Sequence, residues 1–349
     1  MSSPAVPCRP WRFPYGITGP GVVGVAAFLA CFGGEARSAV AAPSGGEPST
    51  SPQNAKSTGA TQAGAEPEEQ VRPGSGRFEQ GGGDSLVWNK QWKRYTVGNG
   101  VLTGIAVTTF ATAYAIGPNE DEPWTSHVGF DEAARDVLRA GGRHWRQRAE
   151  DYSDVGLTLA MSYPLLVDSL IVSSWYRDSP DIGVQTALID LEAISFTLAI
   201  QSLANLASGR ERPYGRTCGA ELDANTSDCV NVNRYRSFFS GHTSASFAAA
   251  AVNCVHHTKL PIYGENSALA PCLGGFALAG FVGTMRIVSD FHYMSDVLTG
   301  AIVGTGVGIA VPLVLHYRKD TKETPGLGSE EIEVRLMPTP GGIGVWGSF

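Results

Sequence analysis

Three short polar segments hold most of the residues in this chain that could do chemistry together, and each lies at one end of an apolar stretch. Arg212 is in the first segment, His242 in the second, and His292 and Asp296 in the third. If a helix begins at His292, the Asp296 carboxylate lies one turn further on and can fix the tautomer of the imidazole. An oriented imidazole is a nucleophile or a base, and arginines bind the oxygens of anions. Together the segments predict a site that binds an anion between two histidines.

The second segment, Ser240-Gly241-His242, directly precedes the small-residue stretch 244–255. Free N–H groups at the start of a helix, with Gly241 allowing close approach, form a cradle for an anion. His242 would stand at its mouth. The alternative is that Ser240 or Thr243 is an ordinary N-cap beside an incidental histidine.

The first and third segments also have structural alternatives. Arg210 and Arg212 could be cations that suit the C-terminal end of a helix, which a proline then stops. His292 and Asp296 could be a surface pair without a catalytic role. Taken alone, the first and third segments favour the structural interpretation, and the second favours neither.

The order and spacing of all three segments resemble the type 2 phosphatidic acid phosphatase and vanadium haloperoxidase superfamily. Its three signatures run K-x6-R-P, P-S-G-H and S-R-x5-H-x3-D, and the resemblance covers roughly residues 150–316. The matching residues are Arg212-Pro213, Ser240-Gly241-His242, Arg286, His292 and Asp296.

Three positions depart from these signatures: Asn205 replaces the lysine, Phe239 the proline and Met285 the serine. Asn205 matters most, because an amide supplies only a dipolar hydrogen bond where a lysine supplies a full charge. Arg210 is the nearby cation that we expect to substitute for it in part.

The resemblance implies a mechanism without a metal or a cofactor. His292 would attack phosphorus to form a phosphohistidine, Asp296 would hold its ring, and His242 would protonate the leaving alcohol. The implied substrate is a phosphorylated lipid or a small-molecule phosphoester. Its oxygens would be held by Arg212, Ser240, Gly241, Arg286, Asn205 and Arg210.

Two other functions fit the same residues. A vanadate-dependent haloperoxidase would hold vanadate in this pocket, although the missing lysine disfavours it. The second is a non-enzymatic membrane or envelope protein that retains the fold. Asn205, at the position of the family's lysine, supports this alternative.

The elements that position these segments are predicted to be helices, so we expect an all-α bundle of about six core helices associated with a membrane. A further amphipathic helix is predicted over 130–150. The last core helix has the length and composition of a transmembrane span. Asp168, Asp190 and Glu192 make the second and third look more like a soluble core, as does the shortness of the fourth. The six apolar stretches are 97–116, 155–175, 183–207, 244–255, 268–285 and 297–316.

Four regions are predicted along the chain: a signal peptide at 1–41, a disordered linker at 42–86, the helical domain at 87–320, and a tail at 321–349 with a short hairpin. An uncleaved anchor or a lipid on Cys31 are alternatives to cleavage. A cleaved signal places the start of the domain outside the cytoplasm, whereas Lys90, Lys93 and Arg94 favour the inside. We expect a cell-envelope protein whose site faces the extracytoplasmic, periplasmic side.

Charge and cysteine content exclude other classes. A net charge of −7 argues against a nucleic-acid partner. An extracytoplasmic setting permits Cys218 and Cys229 to pair as a disulfide, the alternative being two free thiols. Cys254 and Cys272 lie in apolar helices and are expected to be inert core residues.

Overall fold

A computed structural model describes residues 84–118, 123–318, 333–339 and 342–348. The predicted signal peptide, and the predicted linker as far as residue 83, lie outside the described residues. Between residues 84 and 318 the regular structure is almost wholly helical, which confirms the all-α fold class.

Each of the six apolar stretches forms a helix, and a further helix lies between the first two. Two helices continue without a break into a wider π-helical stretch, Tyr163–Tyr176 and Pro312–His316. Pro164 and Pro312 lie at the start of these stretches, and proline lacks the N–H that a regular α-helix needs there. In chain order the helices are α1 (Val97–Ile116), α2 (Asp131–Leu138), α3 (Arg143–Ser162), α4 (Pro180–Ser208), α5 (Gly241–Lys259), α6 (Leu269–Val288) and α7 (Met294–Val311).

The prediction of one amphipathic helix over 130–150 was wrong. The chain forms α2, leaves helical conformation after Leu138, and starts again at Arg143. Gly141 and Gly142 lie in the break, where glycine's backbone entropy disfavours a continuous helix.

Helix α5 is the buried centre of the bundle, and α7 packs on it backbone to backbone. A Cβ on Gly300 would come 2.8 Å from the Ser240 carbonyl oxygen, and one on Gly304 would come 2.2 Å from that of Ser244. Small residues four positions apart allow two helices to approach this closely. The contact brings the start of α7 beside the start of α5, where the second and third polar segments lie.

Five helices are long and apolar enough to cross a membrane: Val97–Ile116, Arg143–Tyr176, Pro180–Ser208, Leu269–Val288 and Met294–His316. The interpretation of the second and third apolar stretches as a soluble core is therefore not supported. Their acidic residues are buried, and each contacts a histidine: Asp168 with His257, Asp190 with His256, and Glu192 with His316. Acidic groups that face the interior of a bundle do not oppose a membrane location.

Apolar side chains point outward from several of these helices. Leu102, Leu170, Leu273 and Ile302 are each at least 45% exposed. An outward apolar surface of this kind suits a lipid environment.

Two disulfides and a hairpin complete the described structure. Cys218 and Cys229 are bonded within the loop that follows α4, with Cα atoms 5.8 Å apart. Cys254 and Cys272 are also bonded and join α5 to α6, so the expectation that they are inert was wrong. At the C-terminus, β1 (Glu333–Thr339) and β2 (Gly342–Ser348) pair antiparallel.

Candidate active site

His292 lies in a turn just before α7 that folds back on Arg286. The Arg286 carbonyl accepts the N–H of Phe291 at 3.1 Å and that of His292 at 3.2 Å, which accounts for the spacing in the third segment. The Nδ1 of His292 donates to the Ser237 carbonyl at 2.8 Å. This bond places the proton on Nδ1 and leaves the Nε2 lone pair free of any partner among the described residues.

Asp296 does not form the predicted hydrogen bond with His292. Its Oδ2 lies 3.8 Å from Nδ1, because the ring donates to the Ser237 carbonyl instead. Its oxygens accept from Arg210 at 2.5 Å, from the Ser237 hydroxyl at 2.6 Å and from the Tyr293 N–H at 2.9 Å. Asp296 is therefore placed to stabilise positive charge on the imidazole through space, while the Ser237 carbonyl fixes the tautomer.

Arg210 was predicted to contact phosphate, and the structure contradicts this. It is fully buried between the rings of Trp124 and Tyr293, each 4.3 Å from the guanidinium carbon. Its two terminal nitrogens contact Asp296 at 2.5 Å and Asp131 at 2.7 Å. Because Gly209 ends α4 in the left-handed conformation, with φ of 52°, the chain turns and places Arg210 inside the protein. Arg210 holds Asp296 in place.

Asn205 does not offer a phosphate-binding group either. Its Nδ2 has two hydrogens, which face the Gln201 carbonyl at 3.2 Å and the Phe239 carbonyl at 3.4 Å. Its Oδ1 is buried without a partner among the described residues and can only accept. Asn205 therefore positions the segment before α5 and supplies no charge to the site.

His242 is at the first turn of α5 and contacts an acid that the sequence analysis missed. Its Nε2 lies 2.8 Å from Asp154 Oδ1. The same Asp154 oxygen accepts from Arg286 Nη1 at 3.2 Å, and that nitrogen also donates to the Ser153 hydroxyl at 2.9 Å. Side-chain exposures of 22% for His242 and 39% for Asp154 mark this as the open side of the site.

Arg212 and Arg286 flank a single aromatic ring. The guanidinium carbons lie 4.9 Å and 4.6 Å from the centroid of Phe291, in the turn that carries His292. The two arginines thus converge beside the nucleophile candidate, as the sequence predicts for groups that hold phosphate oxygens.

Ser240 and Gly241 begin α5. Ser240 is fully buried. Its hydroxyl accepts two hydrogen bonds from Thr243, one from the N–H at 3.4 Å and one from the hydroxyl at 2.9 Å. Ser240 is therefore the N-cap of α5. A Cβ on Gly241 would come 3.3 Å from the Gln201 amide. The N–H groups of Thr243 and Ser244 donate to Ser240, which leaves those of Gly241 and His242 available to an anion.

The pKa values of both histidine candidates lie below the ordinary imidazole value. Burial lowers the pKa of His292 to about 4, against the opposing effect of Asp296, and the Arg212 and Arg286 cations lower it further. Burial and the Arg286 cation lower the pKa of His242 to about 4, while Asp154 opposes them. Neutral imidazole is the nucleophilic form, and a lowered pKa favours that form of His292 at neutral pH.

The residues that sequence reasoning missed act through contacts distant in the chain. Asp154 precedes an apolar stretch, Ser237 contributes a backbone carbonyl, and Asp131 begins a short surface helix. No spacing rule links them to the three segments. Among the described residues, no group of three or more His, Cys, Asp or Glu side chains is placed to hold a metal ion.

Part of this chain is similar to one protein family and to proteins named as phosphatases or as related to them. Residues 187–320 match the family described as PAP2 superfamily. A PA-phosphatase related-family protein of Dictyostelium discoideum is 28% identical over 141 residues, which are 39% of this chain and 50% of that protein. A lipid A 1-phosphatase of Porphyromonas gingivalis is 38% identical over 173 residues, covering 43% of this chain and 37% of the relative. The chain therefore matches half or less of the length of these curated relatives.

One solved structure aligns with about half of this chain. The crystal structure of LpxE from Aquifex aeolicus aligns with 52% of this chain and 92% of its own, at 18% identity and a TM-score of 0.33.

Proposed function

Because residues 187–320 of this chain belong to the PAP2 superfamily, we propose that the protein is a metal-independent phosphatase that works through a phosphohistidine. The main support for the proposal is the hydrogen bonding and position of His292. Its Nδ1 is held by the Ser237 carbonyl, and its free Nε2 lies in a turn flanked by two arginines.

In the first step, the Nε2 lone pair of His292 forms a bond to phosphorus and the bond to the leaving alcohol oxygen breaks. The ring becomes positively charged, and Asp296 at 3.8 Å stabilises that charge. Arg212 and Arg286 hold the equatorial oxygens, as phosphoryl transfer depends mainly on positioning and charge stabilisation.

His242 donates a proton to the leaving alcohol, which requires its imidazolium form. Burial and the Arg286 cation hold the pKa of His242 low. A bound phosphate dianion offsets that cation and, together with Asp154, raises the pKa of His242. Substrate binding therefore creates the acid that the reaction needs.

In the second step a water attacks the phosphohistidine and releases inorganic phosphate. His242, now neutral, accepts the proton from that water, so the same side chain acts as acid and then as base. His292 returns to its neutral form, and no group is consumed.

For the substrate we propose a phosphate or diphosphate on a lipid. Five apolar helices that could cross a membrane support a site at a lipid surface. One relative is named for lipid A, which supports a lipid substrate. A small soluble phosphoester is the other candidate.

The first experiment measures phosphate release by the full chain in detergent from phosphatidic acid and from an aryl phosphate. We expect turnover without added metal that His292→Ala abolishes. His144→Ala is the control, because His144 is exposed in the first turn of α3. Equal activity of His292→Ala and wild type would contradict the mechanism. Bromide oxidation with vanadate, without phosphate release, would favour a haloperoxidase. A protein with neither activity would favour a non-enzymatic role.

We further propose that the site faces the extracytoplasmic side of the cell envelope. The disulfide between Cys218 and Cys229 lies in the polar loop after α4, at the end of the bundle that carries the site, and an oxidising compartment allows it to form. The second disulfide joins Cys254 and Cys272 in two apolar helices near the other end, so we infer the orientation from the disulfide in the polar loop. Arginines and lysines occur at both ends of the bundle, so the positive-inside rule does not decide the orientation.

A membrane-impermeant maleimide tests this orientation in intact cells. Arg148→Cys places an exposed thiol near the site, and Glu265→Cys places one at the opposite end. We expect labelling of the first and not of the second. The reverse pattern would put the site in the cytoplasm.

A further inference from the structure

The buried or partly buried arginines around the site fall into two groups. Most contact a carboxylate, as Arg210 does with Asp296. Arg212 and Arg236 form no salt bridge with a carboxylate among the described residues, although Glu150 interacts with the Arg212 cation at longer range. The paired arginines are Arg135, Arg139, Arg146, Arg210, Arg234 and Arg286.

The two unpaired arginines are neighbours. The Nε of Arg212 donates to the Arg236 carbonyl at 3.5 Å. Burial lowers the pKa of Arg236, and the Arg212 cation lowers it further against the effect of Tyr114. Both guanidiniums remain charged at neutral pH. Two neighbouring cations that repel each other, with no carboxylate in salt-bridge contact, are stabilised when an anion binds between them.

The existing contacts of Arg236 anchor it without neutralising it. Its Nη2 donates to the Tyr114 carbonyl at 2.5 Å near the end of α1, and its guanidinium lies 4.1 Å from the Tyr114 ring centroid. Its Nε is buried and has no hydrogen-bond partner in the described structure. A carbonyl and an aromatic ring leave a full positive charge uncompensated.

Arg236 is also tied to the nucleophile through the backbone. The next residue, Ser237, accepts from His292 with its carbonyl and donates to Asp296 with its hydroxyl. The segment that fixes the nucleophile therefore carries the cation.

We propose that Arg236 is a specificity residue of this site, a second unneutralised cation that binds a phosphoryl group together with Arg212. It supplies the charge that Asn205, with its amide turned to two carbonyls, does not. The inference rests on the proposed function for the ligand, a phosphoryl dianion carried by a lipid headgroup or free in solution.

Phosphate binding tests this independently of turnover. Thermal unfolding of the full chain in detergent is followed against inorganic phosphate, with sodium chloride at matched ionic strength as reference. A parallel series uses phosphatidic acid in mixed micelles. Variants are Arg236→Gln, Arg236→Lys and the control Arg148→Gln, which removes an exposed cation near the same end.

We expect Arg236→Gln to weaken phosphate binding by about tenfold or more, the effect of losing one hydrogen bond between charged groups. Arg236→Lys should retain most of the binding, and Arg148→Gln all of it. A defect with phosphatidic acid alone assigns the cation to a lipid headgroup, and a defect with both ligands assigns it to the phosphoryl group itself.

Two results would overturn the proposal. One is binding of both inorganic phosphate and phosphatidic acid by Arg236→Gln equal to wild type. The other is an equal loss in the Gln and Lys variants, which would mean that the guanidinium acts only by anchoring the end of α1. Wild-type phosphate binding without any turnover would remove the proposed function and leave this test intact.

Discussion

At the scale of single residues, the hydrogen-bond partners in the site differ from those that the sequence predicts. The Ser237 carbonyl sets the tautomer of His292, and Asp296 acts as a charge 3.8 Å away. Asp154 joins His242 to Arg286 and so connects the proposed proton donor to a proposed phosphate-binding cation.

The pH dependence of Asp154→Asn is a direct test of this arrangement. The Asp154 carboxylate stabilises the imidazolium form of His242, so its removal lowers the pKa of His242. We expect the alkaline limb of the profile of kcat against pH to move to lower pH, and kcat near pH 7 to fall by about tenfold or more.

Asp151→Asn is the matched control, because Asp151 is exposed on the same helix. It should leave the profile unchanged. A profile of Asp154→Asn that matches the wild type would mean that Asp154 does not act through His242.

At the scale of elements, the glycines of α7 set the distance between two polar segments. Gly300, Gly304 and Gly308 all face the backbone of α5, where any Cβ would come within 2.8 Å of a carbonyl oxygen. Because His292 and Asp296 lie at the start of α7, and His242 at the start of α5, this packing fixes their relative positions.

Gly304→Ala should therefore damage both stability and activity. Its new methyl group would overlap the Ser244 carbonyl and push α7 from α5, at a cost of about 1–3 kcal/mol for overpacking. We expect a lower unfolding midpoint and a lower kcat/KM. Gly306→Ala on the same helix, where nothing lies within 4 Å, should be neutral. Equal behaviour of the two variants would show that close packing at Gly304 is unimportant.

At the scale of the whole molecule, the candidate site and the buried histidine–carboxylate contacts lie towards opposite ends of the bundle. The catalytic groups lie at one end of α5, and His256 near its other end is about 21 Å from His242 along the helix axis. The three buried histidine–carboxylate contacts lie towards that far end, among them the one between Glu192 and His316 at 2.6 Å.

Glu192→Ala should destabilise the fold without changing the chemistry. It would leave His316 and the Asn99 amide, 3.1 Å from Glu192, without their acceptor. Breaking such a buried pair costs about 3–5 kcal/mol. We expect a lower unfolding midpoint, with kcat/KM per folded molecule unchanged, and no effect of the exposed Glu265→Ala. A selective loss of kcat/KM at an unchanged midpoint would connect this cluster to catalysis.

The sequence by itself determined the class of the fold and the three segments of the site. Helical stretches are local properties, set by residue order within a turn or two, so the six helices could be predicted from them. Arg212, His242 and His292 became site candidates through the order and spacing of the three segments and the family resemblance that these carry. The break before Arg143 was missed because two glycines within a charged stretch leave the amphipathic pattern almost intact.

Only the tertiary structure decided which groups meet. Arg210 and Arg212 are two residues apart, yet the turn after Gly209 buries the first against Asp131 and Asp296 and leaves the second beside Phe291. Asp154, Ser237 and Arg236 join the site across separations that no local pattern encodes. Hydrogen bonds and charges act over a few ångströms in space, and the packing of α7 on α5 sets those distances.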